Sequence, residues 1–558
     1  MPELTKVGWG FKQDQVEDSV KEAIEELQIP VSREDPTHYI TFEKVYFKRD
    51  TSADSSLAIK QTLTFEKSIL AKIYADIVEY DGHKKTVHAR DLQVGQLPQL
   101  LEGRNTFIVT GSEYNLINQP RRKSSVFVYS NSGLAGSASA DFNLAKGRNF
   151  SLSVDPSQGV VVVEIGGSTV ALRPLLESVG VTRDDVLRST NTDFTKDHWD
   201  SLDNPTTLLN NYRKLYGRLY EYKQEDVRKL DLNTLKKECE EYFKQTAVDP
   251  KTTKYLFGNG YTKVDRNFMI DILKKFYQVN VGDDPGIDPD DLYYQKLYPP
   301  NMLYKDRISK VSGEIANQVR MKIKLGHSYD KIFHNIFSKY LVGLVNSSDL
   351  SRLDPQYNPI GMYTSSTKMS PIGMGGISDI QAVTRAKRGV HPSYFGTVDP
   401  TASAQGVNVG VQLNLTDDVK IDREGEIYLP LKDKAGKVTD IKLADTFDKK
   451  ILVPGSQYDK QKYVMYRGKM EEMKGGRYDY ALPKGTESMF SLVNQLVAFP
   501  QATQGNRSFM TARQITQALP LKYGESPYVE PVTEKGESTY RKLRKELESL
   551  MPMESHYS

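Results

Sequence analysis

Nine of the 43 residues from Gln356 to Val398 are Gly or Pro, among them Gly373-Met374-Gly375-Gly376 and His391-Pro392. At that density neither a long helix nor a central strand can form. Met, Ile, Val and Tyr are interleaved throughout, so the segment lacks the composition of disorder. It holds one acid, Asp379, against Lys368, Arg385, Lys387, Arg388 and the titratable His391. An ordered, basic, acid-poor loop suits a phosphate backbone. A connector between domains has a similar composition, and the segment, followed on to Asn414, leaves both open.

The chain has 558 residues, too many for one core, and roughly three to five domains are expected. Its 75 basic and 72 acidic residues give a net charge of +3, so any nucleic-acid surface has to be local. Cys239 is the only cysteine, which excludes disulfides and cysteine-based metal sites and points to a reducing, cytoplasm-like compartment. No run of about 18 apolar residues suggests a membrane span, and Met1 to Gly10 does not resemble a signal peptide.

Val16, Val20, Ile24 and Leu27 fall on one helical face, predicting an amphipathic helix over 12–28. From Tyr39 to Tyr80 the period shifts to that of strands. Thr106 to Ile117 and Ser124 to Tyr129 are expected as two more strands bracketing Asn118 to Lys123. Six basic residues and two acids between Arg104 and Arg148 make a second local positive patch, or an ordinary solvated surface. Phe150, Leu152 and Val154 alternate, and Val160 to Ile165 followed by Gly166-Gly167 predicts a hairpin. Helical stripes follow at Leu208 to Leu219, Leu235 to Phe243 and Phe268 to Phe276. Further helices are expected over 309–325, carrying Lys310, Arg320, Lys322 and Lys324, and over 330–344. Alternating strands return after Asn414 up to about residue 485, and Tyr540 to Met551 predicts a short partner helix or a fraying tail. The fold class expected is α+β and multidomain, β-rich at both ends with a helical middle.

Motifs for metalloprotease, phosphate-loop and nucleophile-elbow chemistry are absent. His83 and His88 sit in a polar β turn, a weak metal candidate. The acidic run Asp283 to Asp291 could tempt a Mg²⁺ assignment, but its Gly and Pro residues favour an N-capping, solvated loop. Nothing here suffices for catalysis by itself.

Four blocks then carry a resemblance. His391-Pro392-Ser393-Tyr394-Phe395-Gly396, Pro400, Gly406-Val407-Asn408-Val409-Gly410 and Leu415 resemble, without gaps, the H-P-T-H-Y-G…P…G-P-N-I-G…L block of DNA-directed RNA polymerase β subunits. Ser347-Ser348-Asp349-Leu350-Ser351, Asn358-Pro359, Ser370 and Gly373 to Gly376 are similar to that family's S-S-Q-L-S…N-P-L…S-A-L-G-P-G-G. Thr106 to Glu113 looks like T-F-I-I-N-G-T-E, continued by Gln119, Arg122, Ser124 and Val126-Phe127. Asn506 to Met510 and Gln517 to Pro520 look like N-R-A-L-M…Q-A-V-P. The blocks stand in the family's order and span roughly residues 38 to 531.

The resemblance implies a β-rich protrusion-like domain (1–125 with 313–345), a helical lobe-like domain (126–312) and a fork and hybrid-facing region (346–415). It further implies an external β domain (416–485), the start of a hybrid-binding domain (486–531) and a C-terminal docking helix or tail (532–558). It implies an N-terminal β fragment in a split polymerase of the giant-bacteriophage kind. Its partners would be a β C-terminal fragment, β′ N- and C-terminal fragments, a promoter-specificity subunit, template DNA, the RNA transcript and nucleoside triphosphates, with no membrane. The expected setting is the infected bacterial cytoplasm, a phage-made compartment, or the virion. No catalytic residue is expected in this chain, because the Mg²⁺ would be held by β′. A non-catalytic nucleic-acid-binding or virion structural protein is the rival class. Arg352, Lys368, Arg388 and Asn408 are the expected hybrid contacts, Arg385, Lys387 and Arg122 the DNA contacts, and Arg507 and Arg513 the nucleotide-phosphate contacts. The chain departs from the family in three places. P-I-E-T-P-E-G is here Pro400 to Gly406 with both glutamates lost. The arginine before Q-A-V-P is Thr516, with Arg513 three residues earlier as its candidate substitute. Ser365, Pro355 and Gln412 replace residues of the family's antibiotic pocket, implying resistance to rifamycin-type inhibitors.

Overall fold

The computed structural model describes residues 3–30, 39–49, 55, 58, 64–78, 84–130, 136–155, 160–190, 204–220, 227–228, 230–353, 358–385, 387–403, 406–455, 462–473 and 477–518. Pro355 and the expected helix Tyr540 to Met551 lie outside them, as do His83 and the side chain of His88. The chain forms two compact units, one of Met1–Arg121 with Gln295–Ser558, the other of Arg122–Tyr294. The fold is α+β and multidomain.

In the first unit, helix Gln13–Glu25 buries Val16, Val20, Ala23 and Ile24, a face spaced by three and four. It packs along the long helix Pro300–Lys324. That helix begins earlier than its basic residues suggested, because Pro300 suits a first turn whose N–H groups have no partner anyway. The expected lobe-like range 126–312 therefore runs past the second unit, and residues 295–312 lie in the first. Strands Gln28–Pro30, Tyr39–Arg49, Glu66–Val78 and Lys84–Pro98 form an antiparallel sheet in that order.

The single helix expected over 330–344 is broken into Tyr329–Phe333 and Ser338–Asn346. The backbone N–H groups of Asn335 and Phe337 donate across to the carbonyls of Gln93 and Val94, at 3.2 and 3.1 Å. These tertiary bonds replace helical ones, and Asn335 takes a left-handed φ of 52°. Phe333 and Phe337 then edge-pack on Phe42.

Thr106 to Ile117 is a hairpin rather than one strand, Thr106–Val109 against Ser112–Leu116. Strand Ser351–Leu353 joins its outer edge. Gln119–Arg122, expected as a connector, is a short strand. The Gly- and Pro-rich segment is not one loop. It contains the two-turn helix Pro359–Ser366 and a three-stranded sheet ordered Lys368–Met369, Leu413–Leu415, Val398–Ser403. The β region beyond it is an eight-stranded sheet that includes Thr5–Lys6, paired with Lys420–Ile421.

The second unit is an antiparallel meander of Ser125–Ser130, Ala138–Asn143, Phe150–Val154, Val161–Ile165 and Ser168–Ala171. Gly166 and Gly167 both take positive φ, 55° and 72°, and close the predicted two-residue hairpin in register Ile165 to Ser168. Its helices include Leu172–Val179, Arg183–Thr190, Pro205–Leu219, Leu232–Lys244 and Arg266–Val281, which bury the predicted stripes on one core with the sheet. Cys239 belongs to that core, and burial pushes its thiol up to about 12, so it is an inert packing residue. The acidic run turns on itself. Asp284 pairs with Lys275 at 2.8 Å, and Asp284, Asp288 and Asp291 accept from the N–H two residues on. Among the described residues no helix is long and apolar enough to cross a membrane.

Asp185 ties two of this unit's helices together. It accepts from the N–H and hydroxyl of Thr182 and from Nε and Nη2 of Arg266, at 3.1 and 2.6 Å. The Thr182 backbone N–H first, and then the Arg266 guanidinium, hold its carboxyl down at about 2 against the opposing effect of burial. A depressed folded value means stability that is present above the ordinary range and lost as pH falls toward about 2. Asp185→Asn is expected to lower the stability of this unit by about 1–2 kcal/mol at neutral pH. The gap should close below about pH 4, as followed by hydrogen exchange of the full chain. A gap independent of pH contradicts the assignment.

Candidate nucleic-acid interface

Within the first unit, a cavity of about 420 Å³ brings together four of the expected contact residues, Arg352, Lys368, Asn408 and Arg513. Its wall also contains Thr364, Ser365, Ser403, Gln412, Asn414, Ser491, Thr516 and Gln517. Among the described residues no carboxylate lines it, and three cations share the space with amides and hydroxyls.

Each cation arrives on a different element. Arg352 is the middle residue of Ser351–Leu353, placed opposite Asn115 by strand pairing. Its Nη1 donates to the carbonyl of Ser351 at 2.8 Å, and the side chain is otherwise exposed. Lys368 opens the small sheet, where it pairs with Asn414. Asn118 anchors that point, its Nδ2 donating to the carbonyls of Ser366 and Lys368 at 3.0 and 2.9 Å. Arg513 sits on helix Gly505–Gln517, where Phe509, Ala512, Arg513 and Thr516 fall at i, i+3, i+4 and i+7 and share the face toward the cavity.

Asn358 joins two of these elements. Its side-chain oxygen accepts from Ile360 N–H and caps helix Pro359–Ser366, while Nδ2 donates to the carbonyls of Ile515 and Ala518, both at 2.8 Å. One buried amide thus satisfies the start of one helix and the end of another. The back of helix Pro359–Ser366 is fixed by Tyr363, whose hydroxyl donates to Asp417 at 2.6 Å, beside Lys6. Burial and the Asp417 charge raise that hydroxyl well above its ordinary range, so it stays protonated and a donor. Trp9 packs edge-on against the Tyr363 ring, and this rotation turns Gly361, Thr364 and Ser365 into the cavity.

The other expected contacts lie elsewhere. Arg388 is expected to touch phosphate, yet its guanidinium is already engaged inside the protein. Nη1 donates to the carbonyls of Val407 and Val409, Nη2 to Ile380 and Nε to Val383, at 2.7 to 3.4 Å. Four of its five N–H groups hold the loop to the Gly406–Asn408 turn. Gly410 makes this closure possible, since a Cβ there would stand 2.1 Å from the Arg388 carbonyl oxygen. Arg385 and Lys387 belong to the same loop, and neither lines the cavity. Arg507 lies outside it too, with Nη1 3.7 Å from Met510 Sδ. His391 caps the turn Pro392–Tyr394, its Nδ1 accepting from Ser393 N–H at 3.1 Å.

The positive stretch from Arg104 to Arg148 is divided among partners. Buried Arg104 lies 3.3 Å from Glu113, and Arg121 pairs with Asp306 at 2.8 Å beneath the Gly373–Gly376 turn. In the second unit Arg122 pairs with Asp141 at 2.9 Å and stands over the Phe127 ring. Of the residues that replace the antibiotic pocket, Ser365 and Gln412 line the cavity. Ser491, Asn414 and Gln517 were missed, because a lone amide or hydroxyl in a polar stretch carries no sequence signal.

Arg388→Ala removes an internal staple. The expected result is faster hydrogen exchange over 380–411 and a cost of about 2–3 kcal/mol, which Arg388→Lys fails to restore because an ammonium cannot fork. Normal exchange with a reduced salt dependence of nucleic-acid binding would instead make it a phosphate contact.

No family model matches the chain. The chain is 24% identical over 492 residues to the DNA-directed RNA polymerase subunit beta of Mesostigma viride, covering 79% of this chain and 43% of that protein. It is 24% identical over 486 residues to the corresponding subunit of Synechocystis sp., covering 79% and 42%. With the subunit of Nocardioides sp. the identity is 31% over 196 residues, 33% of this chain and 17% of the other. The chain spans less than half the length of the first two. Over about four-fifths of its own length it is similar to the β subunits of DNA-directed RNA polymerases.

Proposed function

We propose that this chain supplies the N-terminal, channel-lining part of the β subunit of a multisubunit DNA-directed RNA polymerase. The observation that carries the reading is the cavity of Arg352, Lys368 and Arg513, which is basic, lined by no carboxylate among the described residues and built from the stretches that resemble the family. Cations and amides without carboxylates favour a phosphate-bearing strand and read no base sequence. In this reading Arg352, Lys368 and Asn408 face the RNA–DNA hybrid. Arg513 serves the incoming nucleotide's phosphates in place of the family's arginine at Thr516. Thr516 and Arg513 share one helix face, which supports the exchange. Arg385, Lys387 and Arg122 are left for duplex DNA, and Arg507 for the nucleotide.

Mg²⁺ prefers carboxylate oxygens. Among the described residues the cavity offers none, and no group of three or more His, Cys, Asp or Glu suited to a metal occurs. These residues do not fit the ion, so the proposal assigns it to the β′ chain and derives no step through it. The remainder of β and the β′ fragments act as partners with template DNA, transcript and nucleoside triphosphates. In the split form of the proposal they are separate chains, as in giant bacteriophages, and a promoter-specificity subunit joins them.

Purification from the native source tests this. The chain is expected to co-purify with β and β′ fragments in an assembly that extends a primer on a template and resists low-micromolar rifamycin. Lys368→Ala and Arg513→Ala should each weaken nucleic-acid retention and reduce the salt slope by about one. A chain that purifies alone and binds nucleic acid without supporting synthesis would favour a structural protein that has kept this fold.

A further inference from the structure

Asp399 lies in strand Val398–Ser403, which contributes Ala402 and Ser403 to the cavity, and it is buried, at 1% exposure. It stands directly before Pro400 to Gly406, the stretch that lacks the two glutamates of the similar family sequence. One oxygen, Oδ1, accepts from the N–H and the hydroxyl of Thr401, both at 2.8 Å. The other, Oδ2, accepts from Ser491 N–H at 2.6 Å and from Asn494 Nδ2 at 2.7 Å. Asn494 Nδ2 also reaches the Thr401 hydroxyl oxygen, at 2.8 Å, which closes the knot. No lysine, arginine or histidine pairs with this carboxylate among the described residues.

The knot spans about 90 residues of sequence and fastens two pieces of the cavity wall. Strand Val398–Ser403 contributes Ala402 and Ser403, and the turn at Ser491–Gln495 contributes Ser491 and Val493. A carboxylate can accept on both oxygens at once, whereas a carboxamide must turn a donor toward one pair of donors. A buried donor facing donors loses its bonds and the desolvation cost remains. The knot therefore needs the charge-bearing group and not only its shape.

We propose that Asp399 is a positioning residue for the cavity, a buried carboxylate that sets the spacing of the wall strand Val398–Ser403 against the Ser491 turn and so holds the walls around the bound strand. The structural half of this proposal stands without the polymerase reading. Its effect on elongation rests on that reading.

The test uses the full chain, alone and in the purified assembly. Asp399→Asn is expected to raise hydrogen exchange together at 398–403 and 491–495 in the full chain. In the assembly it should shorten the lifetime of elongation complexes by about tenfold, with the salt slope and the fraction assembled unchanged. A role limited to folding would lower the fraction assembled and leave the lifetime of the assembled complexes alone. Asn494→Asp alone sets two carboxylates side by side and should loosen both segments. The same change in the Asp399→Asn background should recover part of the protection, a non-additive cycle that follows from the direct 2.7 Å bond. Unaltered exchange in Asp399→Asn, exchange altered in one segment only, or additive effects would overturn the proposal. If the wild-type assembly makes no RNA, the exchange and the cycle still decide it.

Discussion

Three cationic side chains line one cavity, none of the other described lining residues is a carboxylate, and like charges gathered in one space repel. The rest of the site holds the elements in place against that repulsion with groups that add no charge to the cavity lining. Strand pairing with Asn115 places Arg352, while the segments that carry Lys368 and Arg513, and the wall between them, are fastened by side-chain bonds set back from the charges. Asn118 binds the carbonyls of Ser366 and Lys368, Asn358 those of Ile515 and Ala518, and Asp399 gathers Thr401, Ser491 and Asn494. Buried amides are suited to this because each satisfies carbonyls left open near a helix end without adding charge. A carboxylate placed directly among the cations would stabilise the empty cavity and compete with an anionic strand. Asp399, buried and not part of the lining, stands behind the wall instead.

Much of the fold was legible where one periodicity dominated. The stripe at Val16, Val20 and Ile24 gave helix Gln13–Glu25, and Gly166-Gly167 gave the hairpin between Val161–Ile165 and Ser168–Ala171. Failures came where distant partners overrode local pattern. Residues 330–344 have a continuous apolar helical pattern, yet Gln93 and Val94 capture the N–H groups of Asn335 and Phe337 and break it. Thr5–Lys6 has no sequence signal for a place beside Lys420–Ile421, because an edge strand's partner depends on long-range topology.

Legibility at the site divides along the same line. Residue type and family resemblance brought Arg352, Lys368, Asn408 and Arg513 to notice, and the fold places all four on one cavity. Arg388 looked equivalent to them in sequence, since a guanidinium spent on carbonyls and one offered to solvent are the same letter. Composition cannot separate the two, and only the positions of Val407, Val409, Ile380 and Val383 do so. Asp399 escaped notice for the converse reason: a single acid at the edge of a strand carries no signal until Ser491 and Asn494 close over it.

In the proposed assembly this cavity faces the transcript. Photo-crosslinking from a thio-substituted nucleotide placed in the RNA strand of a halted elongation complex tests it most directly. The account predicts adducts in peptides containing Arg352, Lys368 or Asn408. Adducts confined to other parts of the chain, with these peptides unlabelled at every RNA position, would contradict it.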